Sequence, residues 1–142
     1  MSLVSSSKKL TFHNFKGGNP RVPILFFKNK KESLYEEDAI LDTGANLITI
    51  PEYIFKWFKS ESYKIIETKD KITGQKIWII KDVSFKIGDD NKYIIYENEE
   101  IYYAHNPHIR VTSVGIKPVF NDFDVKIKAR IKTIILDSLN IQ

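Results

Sequence analysis

The 142-residue chain has no cysteine. That single absence excludes disulfide staples, zinc–thiolate centres and thiol nucleophiles, and it fits a reducing compartment. Glycine and proline are sparse, at 6 and 5 residues, and no Gly-rich phosphate loop is present. No segment approaches the roughly 20 consecutive apolar residues that cross a bilayer. The opening MSLVSSSKKL lacks the apolar core of a signal peptide. No Ser-centred nucleophile elbow and no H-E-x-x-H metal motif occurs. The expectation is a soluble, cytoplasmic protein with no membrane partner.

What is present suits a globular domain: 42% hydrophobic and 28% charged residues. The length fits one domain with a core that stands without crosslinks. Residues 1–10 are polar and Ser/Lys-rich, and are expected to fray. Residues 11–142 then form a single domain, since no linker or internal repeat interrupts them. Net charge is +4 and the pI about 9.1, but the bases are interleaved with acids, as in KNKKESLYEED and IIKDVSFKIGDDNK. Mixed signs read as a solvated face, and no nucleic-acid partner is expected.

Short β-rich runs dominate. Val22–Phe27, Leu34–Leu41, Leu47–Ile50, Tyr63–Thr68, Lys76–Ile87, Lys92–Tyr96, Ile101–Ala104, Ile109–Val114, Phe123–Ile127 and Ile131–Leu136 all have strand-like content. Thr73-Gly74, Gly88-Asp89-Asp90-Asn91 and Asn106-Pro107 punctuate them. PEYIFKWFKS predicts a helix, with Pro51 and Glu52 in the first turn and Ile54, Trp57 and Phe58 on one face. A second short helix is expected around Pro118 to Asn121. The fold class is all-β: a small closed or sandwiched barrel with one or two short helices.

One stretch carries chemistry: AILDTGANLITIP, residues 39–51. Asp42 follows three apolar residues and precedes a Thr43-Gly44 turn, after which Leu47, Ile48 and Ile50 resume the apolar character. A D-T-G triplet alone is ordinary turn chemistry and arises by chance in about one chain in fifty of this length. Apolar arms on both sides are what a surface turn does not need. They draw the turn into the fold, where a carboxylate is costly unless hydrogen-bonded or functional.

Residues 40–51, ILDTGANLITIP, resemble the active-site loop of the retroviral-type (retropepsin-like) aspartic peptidases. The likeness continues in order over about residues 20–137. ETKDKITGQKIWII is similar to the flap hairpin of that family, with Ile72-Thr73-Gly74 at its tip. Ser113-Val114-Gly115, then a short helix and a final strand, is similar to its late apolar-apolar-glycine element. The chain departs from retroviral members at Asn46 and Ile116, where an acid and an arginine often pair. Both partners are replaced, so neither charge is left alone.

The resemblance implies a closed acid-protease barrel that works as a homodimer. Asp42 would be the catalytic residue, one from each subunit, because no second Asp-Thr/Ser-Gly occurs in the chain. Two carboxylates about 3 Å apart share one proton and supply both the base and the acid that peptide hydrolysis needs. Thr43 and Gly44 would support the active-site turn. Ala45 and Asn46 would bond the substrate main chain, and Ile72, Thr73 and Gly74 would close over a peptide or unfolded-protein substrate. Alanine at position 45 has no hydroxyl to donate to the carboxylate, which implies an optimum in mild acid. No cofactor and no metal are implied. His105 and His108 have i, i+3 spacing, but Pro107 and the missing carboxylates read as a loop. The rival expectation is a non-catalytic dimerisation or peptide-binding domain of the same fold.

Overall fold

The computed structural model describes residues 2–5, 9–12, 15–16, 19–28, 33–42, 47–115, 122–128, 130 and 132–138. The chain order is β1 (Ser2–Ser5), β2 (Lys9–Phe12), β3 (Phe15–Lys16), β4 (Asn19–Lys28), β5 (Ser33–Leu41), α1 (Glu52–Ser60), β6 (Ile65–Lys69), β7 (Lys76–Gly88), β8 (Tyr93–Ala104), β9 (Ser113–Val114), β10 (Phe123–Lys128) and β11 (Thr133–Ser138). An eight-stranded sheet runs β1-β8-β7-β4-β5-β9, with β3 added to β4 and β6 added to β7. A three-stranded sheet runs β10-β11-β2. Every ladder is antiparallel except the two-residue β5–β9 pairing, Ile40 with Ser113 and Leu41 with Val114.

Period-two alternation explains the strands. Val22, Ile24 and Phe26 on β4 and Val83, Phe85 and Ile87 on β7 are all fully buried on one sheet face. β8 supplies Ile94, Tyr96 and Ile101, and the second sheet adds Leu10, Phe123, Ile134 and Leu136 to the same cluster. Burying each large apolar side chain contributes roughly 1.5–3 kcal/mol before chain entropy is counted. Helix α1 lies on this core through Ile54, Phe55 and Phe58, while Trp57 is only partly buried and packs edge-on to Phe58.

Sequence and structure differ in four places. The opening residues do not simply fray: β1 pairs with β8, from Ser2 opposite Glu97 to Ser5 opposite Ile94. The edge of β8 offers unpaired backbone groups there, and an extended segment of any composition can satisfy them. The expected strands at 92–96 and 101–104 are one strand, β8. The expected run at 47–50 pairs only through isolated bridges at Thr49, and that at 109–114 contributes only Ser113–Val114. Finally, no ladder among the described residues joins β1 to β9, so the described sheets do not close on themselves. The second expected helix, around 118–121, lies outside the described residues.

The β7–β8 pairing carries two compensating irregularities. Ile80 faces Ile101, Val83 faces Glu99, and Phe85 faces Tyr96. One extra residue therefore sits on β7 before Val83 and one on β8 after Tyr96, and the register is restored. Asp82 (φ 55°) and Asn98 (φ 58°) occupy the left-handed region at these bulges. Such bulges bend a ribbon and re-aim what lies beyond them. Here they divide the hairpin into a core limb and an outer limb that carries β6.

Candidate active site

Asp42 stands at the end of β5, and its side chain is exposed. Its backbone N–H donates to the Val114 carbonyl at 2.9 Å, and the Ile40 N–H donates to the Thr112 carbonyl at 2.9 Å. The chain returns along Ile48–Ile50. Thr49 exchanges both backbone hydrogen bonds with Ser113, at 3.0 and 2.9 Å. On its other side the return segment bonds Tyr102 of β8: the Tyr102 N–H donates to Ile48 and the Ile50 N–H donates to Tyr102. Residues 112–114 thus form a narrow strip gripped by both arms of the turn.

The apolar arms hold the turn from below. Leu41, Ile48 and Ile50 are buried, while Leu47 is only half-buried. This fits the reason the stretch stands out in the sequence. The arms are anchored in the core, and the carboxylate emerges where they end. Thr43, Gly44, Ala45 and Asn46 lie outside the described residues.

A carboxylate that sequence reasoning missed lies five residues before Asp42. Glu37 accepts the Thr112 hydroxyl at 2.6 Å on Oε2, and the Thr112 N–H at 3.4 Å on Oε1. The Tyr53 hydroxyl, from the first turn of α1, also donates to Oε1. Thr112 is fully buried. Strand alternation gave a signal: Glu37 shares its strand face with Ala39 and Leu41, both buried, so an acid stands on the inward register of β5.

The segment 65–88 is a hairpin. Ile65–Lys69 pairs with Lys76–Ile80, and the tip is a tight turn at 70–75. The Asp70 carboxylate accepts the N–H groups of Ile72 at 2.8 Å and Thr73 at 3.3 Å. The Gly74 N–H donates to the Asp70 carbonyl, and the Asp70 N–H to the Gln75 carbonyl. Gly74 has φ +72°, a conformation that glycine adopts without strain. Ile72 is 95% exposed, the most open large apolar side chain among the described residues. Thr73 and Gly74 are exposed beside it. The outer limb and the turn's return arm meet at Tyr102, which faces Ile79 in β7 and bonds both Ile48 and Ile50.

Elsewhere, His105 shares a 3.2 Å hydrogen bond with the Tyr103 hydroxyl, and the Asn106 side chain accepts the His108 N–H at 2.9 Å. These contacts are those of a loop. Among the described residues no three His, Asp or Glu side chains converge as metal ligands do. A cavity of about 360 Å³ lies between α1 and this loop, walled by Tyr53, Lys56, Tyr103, His105 and Arg110 among others. Across the molecule, burial first and then the Asp122 charge push the Tyr96 hydroxyl far above its usual range, so it acts as a donor to Asp122 at 2.9 Å.

No protein-family model matches the chain, and no curated protein matches it. Among solved structures it is similar to a retropepsin-like aspartic protease from Rickettsia conorii, with a TM-score of 0.58 and 14% sequence identity. The match covers 96% of this chain and 94% of that one. At this identity the likeness shows the fold: a β-rich, retropepsin-like architecture with one short helix among the described residues.

Proposed function

We propose that this protein is an aspartic endopeptidase, active as a homodimer with one Asp42 from each subunit. The observation that carries the reading is the placement of Asp42. It is an exposed carboxylate at the end of a buried strand, fixed through its own N–H to Val114, in a fold shared with a solved aspartic protease. In this reading the β-rich body is the acid-protease barrel, and Thr43 and Gly44 shape the turn at its centre.

The chemistry follows from two carboxyl groups sharing one proton. The ionised one takes a proton from a water molecule as its oxygen bonds to the substrate carbonyl carbon. The protonated one donates to the carbonyl oxygen. The tetrahedral intermediate then breaks its C–N bond as the nitrogen gains a proton, leaving a carboxylic acid and an amine. An extended peptide lies against Ala45 and Asn46, under Ile72, Thr73 and Gly74 of the hairpin tips, and adds strand-like hydrogen bonds. The substrate is a peptide or an unfolded cytoplasmic protein, and the reaction needs no cofactor.

The test is hydrolysis of an unfolded protein at about pH 4–6, with wild type beside Asp42→Asn and sedimentation measured on both. Cleavage by the wild-type dimer, with only background cutting by an equally dimeric variant, is the expected result. A well-folded dimer whose cleavage is the same with and without the aspartate ends the proposal. A dimer that never cuts favours the non-catalytic binding domain.

A further inference from the structure

We infer that Glu37 is a positioning residue: its carboxylate clamps the 112–114 strip to β5 and α1, and so fixes where Asp42 stands. The catalytic part of this inference rests on the peptidase reading. The clamp itself is a matter of geometry.

The β5–β9 ladder has two residue pairs. Parallel pairing is slightly weaker per residue than antiparallel, and a ladder this short has little to hold its register. A one-residue slip would exchange inward and outward side chains. Thr112 and Val114 are fully buried and Ser113 between them is not, so a slip would carry a hydroxyl-bearing serine into the core. It would also remove the carbonyl that receives the Asp42 N–H. The Thr49–Ser113 backbone pair grips the strip from its other side, and the bond of the Thr112 side chain to Glu37 is placed to pin it to β5.

The clamp closes a small ring. One side is the chain from Glu37 of β5 to Asp42 just past its end. The other is the strip from Thr112 to Val114. The 2.6 Å hydroxyl–carboxylate bond joins them at one end, the Asp42 N–H to Val114 bond at the other, and the Ile40 N–H to Thr112 bond lies between. Thr112 and Glu37 are 75 residues apart in sequence, so this contact is tertiary. The hydroxyl of Tyr53 reaches the same carboxylate from α1. Glu37 therefore receives three donors from two separate elements. Hydrogen bonds to an ionised acceptor are the stronger kind, and geometric errors near 1 Å at a reacting group are costly. Thr112→Val removes the hydroxyl at nearly constant shape, and Glu37→Gln replaces one acceptor oxygen with a donor.

The experiment reads residue-resolved amide exchange in the full-length protein, together with steady-state cleavage. Both variants should speed exchange at Ile40 and Asp42 by about 10-fold or more, while the Phe85 and Ile94 amides keep their rates. Cleavage should lose about 10-fold or more in kcat with KM little changed. Glu100→Gln, which breaks an ion pair to Lys81 at the far bulge, is the control that should change neither. Should the first two variants unfold, Tyr53→Phe decides by the same amides, since it removes one hydroxyl from a residue 45% exposed. Wild-type exchange at Ile40 and Asp42 in the folded variants overturns the clamp. Fast exchange with unchanged kcat overturns its catalytic role. A wild type that never cleaves ends the peptidase reading, and the exchange rates alone then decide the clamp.

Discussion

The β7–β8 hairpin has two limbs of opposite character. In the core limb Phe85 faces Tyr96 and Ile87 faces Ile94, and these four, with Val83, are fully buried. Phe85 stacks on Tyr96 at 5.2 Å and meets Phe26 edge-on at 6.2 Å. Beyond the bulges at Asp82 and Asn98, the outer limb takes β6 as a partner, whose residues Ile66 to Lys69 are exposed, and ends at the open side chain of Ile72. The same backbone pairing runs through both. What differs is how much of each limb meets a second layer: Ile80, Ile101 and Tyr103 of the outer limb are still buried, Tyr103 against Phe55 of α1, while β6 and the tip are open. The core limb is held by packing, whereas the open margin of the outer limb, β6 and its tip, is held by ladder hydrogen bonds and a turn. Stability that rests on exposed backbone hydrogen bonds is low and local.

That contrast breaks most sharply in the core limb. Phe85→Ala should cost about 3–5 kcal/mol, because it empties space shared by two aromatic neighbours. Denaturant unfolding measures it. A loss below about 1 kcal/mol would mean that the limb is less tightly packed than its burial implies. Next in size is Gly88→Ala at the closed end of this limb. Gly88 has φ +117°, and a Cβ there would sit 2.1 Å from the Lys92 carbonyl oxygen. The turn cannot shift easily, since the Asp89 carboxylate holds the N–H groups of Asn91 at 2.8 Å and Lys92 at 2.7 Å. Backbone strain of this kind costs about 1–3 kcal/mol. A variant as stable as wild type would show that the turn relaxes.

The two limbs also show what the sequence can tell. The core strands, α1, the turns at Gly88 and Gly74, and the place of Asp42 at a strand end are legible. Each rests on a local signal: period-two apolar residues, a proline at a helix start, glycine with a polar neighbour. The continuity of β8 is hidden because Glu97-Asn98-Glu99-Glu100 reads as a polar break. The strand survives it since β7 pairs through the region, and Asn98 tolerates the left-handed backbone of a bulge. β1 is hidden because its order comes from an edge far along the chain. The partnership of Glu37 with Thr112 is hidden for the same reason, although the acid's inward register is visible. Of the expected active-site turn, the anchors are readable as apolar arms. The strip that fixes them is legible by the Gly115 that follows it and not by its role.

Glu99 sits at the junction of the limbs and gives a smaller effect with a definite sign. Its carboxyl is pushed above the ordinary value of 4.5, chiefly by burial, which outweighs the opposing charge of the chain's amino terminus, with the charges of Asp122 and Glu100 adding; among the described residues the buried Oε1 has no hydrogen-bond partner. The folded state therefore favours the protonated acid. That contribution is fully present below the unfolded value and is lost as pH rises through the raised one. Glu99→Gln keeps the neutral shape at every pH. It should raise Tm at neutral pH by an amount worth less than about 1 kcal/mol, and leave Tm unchanged below about pH 4. An equal shift at both pH values would trace the effect to packing instead.

The smallest effect on stability belongs to Ile72, and it sharpens the comparison most. At 95% exposure the side chain gives the folded monomer almost nothing, so Ile72→Ser should leave unfolding within about 0.5 kcal/mol of wild type. The Asp70 turn needs only the backbone of residue 72, so the tip keeps its shape. If the hairpin closes over a bound peptide, the isoleucine is buried only then. Burial of such a side chain is worth roughly 1.5–3 kcal/mol, or about 10- to 100-fold in kcat/KM. Phe85→Ala and Ile72→Ser should thus be mirror images: one loses the fold at intact local chemistry, the other loses turnover of substrate at intact stability. A serine variant with wild-type kcat/KM would place the tip away from the substrate and remove the reason for an exposed isoleucine on a well-formed turn.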